Sequence, residues 1–405
     1  MQNNINYNDK DARVRFPFIT ESIALALIPF EEVLALPVGS VLRLVNFATL
    51  FFCFMSFKNI RISRGKNFPV FPMMFFVIYI AVSFLWCYNR TYYIDRLSTY
   101  GLYAMLIFLL CFLRPTAKEK ISMLNGLMLG GAAAAFMIVF TGASLNIGGR
   151  ETLVILGRMI DPNVLSYSCV ISLVVCLYRM FVERKLIIIH SAVLTILFTA
   201  IVICGSRGAM ITTFVTIAVI TLNIDVKRNK FIKRAAAFIF VCIAVLFVYY
   251  EFVLTSEFGT RFTVDNLVGQ GDMGMANRDK IWSAAFTQIA KRPFFGYGNG
   301  ASMYAIEKVY RFYGTHNTYI FLLLEFGIVG TVMAFIWQIN EYRALRNNKC
   351  KIYKILFLSV LIFVIFVEGF STKVFWGLQV LLMTACYGEN VDNSLNAFHH
   401  RGENK

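Results

Sequence analysis

Residues 315–330 read THNTYIFLLLEFGIVG: a histidine and an asparagine stand directly before a long apolar run that carries one glutamate. The chain repeats this texture. About twelve apolar runs, centred near residues 25, 48, 77, 105, 131, 172, 195, 216, 244, 327, 362 and 380, approach the roughly 20 residues that a helix needs to cross a bilayer. Of the 405 residues 58% are hydrophobic and 15% charged, and the mean hydropathy of +0.65 is too high for a water-soluble globule. The expected fold is an all-α integral membrane protein: one polytopic domain over 1–405, a bundle of about 12 transmembrane helices, with a long extracytoplasmic loop over 255–315 that contains short helices.

The first run is short and is flanked or interrupted by Glu21, Glu31 and Glu32, and it lacks the small-residue cleavage site of a secretory signal, so it reads as a retained helix. The net charge of +16 speaks to orientation. With both termini in the cytoplasm, the inner loops hold 25 of the 39 Lys and Arg residues and the outer ones 13, most of these in the long outer segment. That distribution argues against a nucleic-acid partner. Nine cysteines lie scattered without CxxC pairs, and the four histidines, His190, His316, His399 and His400, have no metal-ligand spacing. No cofactor is expected.

Within the long outer segment, NRDKIWSAAFTQIAKRPFFGYGNG (277–300) reads as a helix and a turn. Ile281, Trp282, Ala285, Phe286 and Ile289 recur at helical spacing, Asn277 stands at the cap position, and Pro293 with Gly296, Gly298 and Gly300 ends the helix. Such a helix lies on the membrane surface or packs over the bundle. The GYGNG piece follows a helix rather than a strand and lacks a GK[ST] continuation, so it reads as a tight turn and not a nucleotide loop.

Several residues have two readings. Arg207, between two glycines in CGSRGAM (204–210), either snorkels at the interface or presents an unshielded guanidinium to phosphate. Asp161, Pro162 and Asn163 open the sixth span as a helix start, or place Asp161 and Asn163, with Arg158 nearby, at a substrate mouth. His316 and Asn317 either cap the tenth span, or His316 supplies a titratable group and Asn317 a contact to substrate. Glu325 within that span, and Glu368 near the end of the next, need a partner or a polar cavity, and a buried arginine such as Arg43 would answer either. Trp282 and Tyr297, with Tyr304, Tyr310 and Tyr313, form an interfacial aromatic belt or a platform for sugar rings.

SRGA at 206–209, the stretch 277–300, and HN followed by nine residues and GIVG at 316–330 together resemble the O-antigen ligase and O-antigen polymerase superfamily, most closely over 205–330. The DPN at 161–163 also looks like a pattern of many members, whereas Asn277 stands where the family often has Gly before its loop arginine. The resemblance implies a metal-independent, inverting glycosyltransferase in the bacterial inner membrane. Its donor would be a polyprenyl (undecaprenyl) pyrophosphate-linked glycan and its acceptor a glycan or lipid A-core. A flippase and a chain-length regulator are implied partners, and the product is O-antigen of lipopolysaccharide, capsule or exopolysaccharide. Carried over, the family's histidine is His316, its loop arginine Arg278 and its short-turn arginine Arg207.

These residue types suit that chemistry. A histidine with an ordinary pKa of about 6.5 accepts the proton of an attacking sugar hydroxyl. Guanidinium groups hold the charge that builds on departing pyrophosphate. His316 is therefore the expected base, with Arg207 and Arg278 as the clamp. Polymerase is preferred over ligase because the outer segment is modest and the DPN pattern is more familiar among polymerases. A small-anion transporter is the rival from another class. It requires helix breaks in matching halves and charges at the midplane, and the sequence has no such matched halves.

Overall fold

The computed structural model describes residues 13–36, 39–56, 69–146, 150–180, 186–223, 278–346 and 351–388. The expected run near 244, the cap at Asn277, the first part of the 255–315 segment, and His399 and His400 lie outside them. Helices that contain the centres of the other eleven runs are α1 (Phe16–Leu27), α2 (Val41–Met55), α3 (Val70–Val82), α4 (Arg90–Phe112), α5 (Ala117–Phe140), α6 (Pro162–Tyr178), α7 (Ile187–Ile203) and α8 (Arg207–Asn223), then α11 (Thr318–Arg346), α12 (Lys351–Phe363) and α13 (Lys373–Ala385). Between α8 and α11 lie α9 (Arg278–Lys291) and the short α10 (Ser302–Glu307). Among the described residues α4, α5 and α11 are long and apolar enough to cross a membrane, and seven more helices are apolar but shorter.

Local chemistry sets the helix ends. Thr116 and Glu119 close a capping box on α5, each side chain satisfying the other's backbone amide. Asp161 opens α6 as the sequence leads one to expect: its Oδ1 accepts from the amides of Asn163 (2.7 Å) and Val164 (3.4 Å), and Pro162 occupies the first helical position. Helix α1 packs on α5, and α5 on α6. Gly126 and Gly130 let the backbones of α5 and α1 approach, since a Cβ at either would collide with the carbonyl of Ser22 or Ala26. One apolar core runs through the bundle, with Trp337 and Trp376 fully buried at its centre and 5.8 Å apart between ring centroids.

Helix α11 is broken. Gly327 has φ 63° and ψ −168°, which no helix accommodates. The turn after α9 repairs the break. Ile328 and Val329 donate to the carbonyls of Pro293 (2.8 Å) and Phe294 (3.1 Å), Tyr297 and Gly298 donate to those of Leu324 (3.0 Å) and Glu325 (2.8 Å), and the Tyr79 hydroxyl donates to that of Phe326 (2.8 Å). The GYGNG turn is thus a wedge that satisfies interrupted backbone inside the protein, the condition under which non-helical chain is tolerated at membrane depth. Packing α9 and α10 against α11 forms a second small core that includes Ile281, Tyr297, Ile306 and Leu324.

Extended segments are few among the described residues. β1 (Ala35–Leu36) pairs with β2 (Gly39–Ser40), and β3 (Ser144–Asn146), β4 (Glu151–Ile155) and β5 (Arg158–Met159) form a small antiparallel meander between α5 and α6.

Candidate functional site

The ends of α1 and α12, the starts of α2, α4, α6, α11 and α13, and the meander's return to α6 gather at one end of the bundle around a cavity of about 420 Å³. His316, Asp161 and Asn163 contribute to its wall, with Glu32, Asp95, Arg96, Tyr100 and Glu368 among the others.

His316 precedes α11 in a left-handed conformation, φ 49°, an uncommon backbone for a residue with a side chain. Its surroundings hold it there. The Trp282 indole donates to the Thr315 carbonyl (2.9 Å). The Thr315 amide and hydroxyl both donate to Glu368 Oε1, the hydroxyl at 2.8 Å. Asn317 is the helix cap: its Oδ1 accepts from the amides of Tyr319 (2.9 Å) and Ile320 (3.1 Å), and its Nδ2 donates to the Ile365 carbonyl (3.0 Å). The two halves of the histidine–asparagine pair are therefore divided, with Asn317 anchoring the helix and the His316 imidazole left at the cavity, 5.2 Å from the Tyr313 ring.

Burial is the main influence on His316 and lowers its pKa below 6.5. Glu368 opposes that shift, Arg278 adds to it, Asp161 opposes it and Arg150 adds to it. The imidazole is thus acted on by carboxylates and guanidiniums alike.

Arg278 stands at the start of α9 and its Nη2 reaches the Phe366 carbonyl (3.4 Å). Its pKa is lowered by burial, then by the like charges of Arg207 and Arg150. Arg207 begins α8 directly after the short turn. Arg207 acts on Arg278 as a like charge, and a third arginine that the sequence reading does not single out acts on both. Arg150, at the start of the meander's long strand, donates from Nη2 to Asn163 Oδ1 (3.2 Å) and the Gly205 carbonyl (3.4 Å). Its Nε is buried without a hydrogen-bond partner. Ser206 Oγ donates to the same Asn163 oxygen (3.1 Å), so Asn163 ties the meander, the start of α6 and the turn before Arg207 together. No local motif marks Arg150: NIGGR carries no periodicity or spacing that tells a binding guanidinium from a loop charge.

Other expected site residues lie elsewhere. Arg158 is exposed on β5 and is not part of the cavity wall. Tyr297 is 4% exposed within the second core, its hydroxyl donating to Gln288 Oε1 (2.6 Å). Trp282 is half-buried and acts on the Thr315 loop through its N–H. Glu325, fully buried, accepts from the amides of Gly300 (3.0 Å) and Ser302 (3.1 Å) and pairs with Arg96 at 3.5 Å. Arg43 donates to Ser98 (2.7 Å), so Glu325 is answered by Arg96 on α4.

No curated protein matches the chain. Residues 192–335 match the family model described as O-Antigen ligase, a stretch that carries Arg207, Arg278 and His316 together. This match supports placing the chain in the O-antigen ligase and polymerase superfamily.

Proposed function

We propose that the chain is a surface-polysaccharide polymerase that transfers a glycan from a polyprenyl pyrophosphate carrier to an acceptor sugar hydroxyl, without a metal and with inversion, at the outer face of the bacterial inner membrane. One arrangement supports this reading: Arg150 is tied through Asn163 and the Gly205 carbonyl to the turn before Arg207, Arg207 acts as a like charge on Arg150 and Arg278, and Arg150 and Arg278 act on His316. Converging guanidiniums repel unless an anion joins them, and a pyrophosphate carries the charge to do so.

In the step itself, the acceptor oxygen attacks the anomeric carbon from the face opposite the pyrophosphate. The hydroxyl proton passes to the His316 imidazole, which its low pKa keeps neutral and able to accept. The bond from anomeric carbon to pyrophosphate oxygen breaks, and its electron pair leaves with that oxygen, held by the guanidiniums. Asp161 serves as cap of α6 and as a negative charge near His316, and Asn163 positions Arg150.

The positive-inside distribution supports cytoplasmic termini, and with that orientation the cavity end of the bundle faces outward. There a lipid-borne donor arrives sideways from the bilayer and the acceptor from water. A ligase that moves a finished chain to lipid A-core uses the same base and clamp, and the description of the matching family model favours it as the second reading.

The test is expression of wild type and His316→Ala in a host lacking its own polymerase and ligase, with the cognate lipid-linked repeat unit supplied and the glycolipids resolved on a gel. A ladder of lengths on the carrier, absent in the variant, supports the polymerase. Glycan shifted to lipid A-core without lengthening makes the protein a ligase, and a variant equal to wild type removes His316 as base.

A further inference from the structure

The cavity wall that includes His316 contains none of the three arginines, and its charge is of the other sign. Glu31 lies there ion-paired with Lys373, and Arg96 with Glu325, so these charges are answered within the protein. Glu32, Asp95, Asp161 and Glu368 remain, with Arg43 as the cation among them.

A second observation is independent of charge. Tyr100 lines the same cavity at 2% exposure, and neither its buried phenol oxygen nor Nη1 of the neighbouring Arg96 makes a hydrogen bond of ordinary geometry. A buried polar atom without a partner is unfavourable and calls for a polar ligand. Among the described residues no three His, Cys, Asp or Glu side chains are grouped so as to hold a metal ion. The carboxylates therefore act as separate hydrogen-bond acceptors spread over one wall. The volume falls within the range of small-ligand sites.

Resting on the glycosyl-transfer reading above, we propose that this cavity is the acceptor subsite, and that it takes a terminal sugar that is uncharged or bears a protonated amine and rejects uronates and phosphorylated sugars. Carboxylates accept from sugar hydroxyls and attract ammonium groups, and the same carboxylates repel an acidic sugar. His316 belongs to this wall, so the attacking hydroxyl reaches it from the carboxylate side while the anion is held by the arginines outside the wall.

The test uses the full chain in nanodiscs and saturation-transfer NMR titrations with three disaccharides: chitobiose with free amines, N,N′-diacetylchitobiose and cellobiouronic acid. Chitobiose should bind most tightly, the diacetyl form next, and the uronate at least about tenfold more weakly than chitobiose. Asp95→Asn and Glu32→Gln should each weaken chitobiose by roughly threefold to tenfold and narrow its gap to the uronate. Gln at 32 keeps an oxygen for the Asp161 amide, which Glu32 now accepts at 2.8 Å. Thermal melting of both variants separates lost binding from lost folding.

Equal binding of all three sugars, no binding of any, or an unchanged gap in both folded variants overturns the proposal. Transfer from the lipid-linked donor is assayed on the same preparation. Transfer without sugar selectivity overturns the subsite alone, whereas selectivity without transfer overturns the glycosyl-transfer reading and the acceptor assignment with it.

Discussion

The indole Nε1 of Trp282 donates to the carbonyl oxygen of Thr315 at 2.9 Å, one residue ahead of His316. Helix α9 thereby holds the loop that presents the imidazole. Trp282→Phe keeps most of the ring packing and removes the donor, leaving the fully buried Thr315 without that bond, a loss of about 1–3 kcal/mol in the loop. Turnover on a lipid-linked donor should fall about tenfold with only a small change in melting temperature. Unchanged turnover would show that Glu368 and Asn317 hold the loop unaided.

Arg150→Ala should lower kcat/KM by roughly a hundred- to a thousandfold, the usual consequence of removing one group that stabilises developing negative charge. Arg150→Lys should recover little, because an ammonium does not reproduce the forked geometry. Arg158→Ala, at an exposed position outside the cavity wall, serves as control and should stay near wild type. Steady-state kinetics on the three variants decide between a binding and a bystander role for Arg150.

The depressed pKa of His316, caused first by burial and opposed chiefly by Glu368, sets a pH dependence. A base must be unprotonated, so transfer should hold at neutral pH and decline only as pH falls through a value below 6.5. Protonation is also easier in the unfolded chain, so the same residue makes stability fall as pH drops below 6.5 and rise as pH climbs through that window. Glu368→Gln removes a charge that favours the imidazolium, while its amide oxygen can still accept from Thr315. The acid limb of the kcat/KM profile should move to lower pH, and a limb that moves upward would refute the arrangement.

Gly327→Ala should be severe. The residue has φ 63°, and a Cβ there would land on the Phe294 carbonyl, so the wedge and α11 must part. A loss of about 3 kcal/mol or more is expected in melting of the purified protein.

Tyr297→Phe should be mild by comparison. It removes the bond to Gln288, about 1 kcal/mol, and leaves transfer within about twofold of wild type. A large fall in kcat/KM at unchanged stability would instead assign Tyr297 to the sugar.

Much of this protein is legible before folding is considered. Runs of apolar side chains must leave water as helices, because only a helix satisfies every backbone amide within one segment in lipid. For that reason eleven of the expected runs coincide with helices in the described residues. Asp161 with Pro162 marks a helix start through local backbone chemistry, and His316, Arg207 and Arg278 stand out as charged or titratable groups in short ordered motifs.

What the tertiary structure alone decides depends on residues distant in the chain. Arg96 answers Glu325 across 229 positions of sequence only because α4 packs beside the broken α11. Arg150 joins Arg207 and Arg278 because Asn163 and the Gly205 carbonyl fix it where the meander meets the turn before α8. Tyr297 is buried in the second core because the GYGNG turn is needed to repair α11 at Gly327. Periodicity and local motifs record which groups a segment must bury or cap, whereas a binding site is a meeting of several segments whose contacts are set by helix packing and carry no local signature.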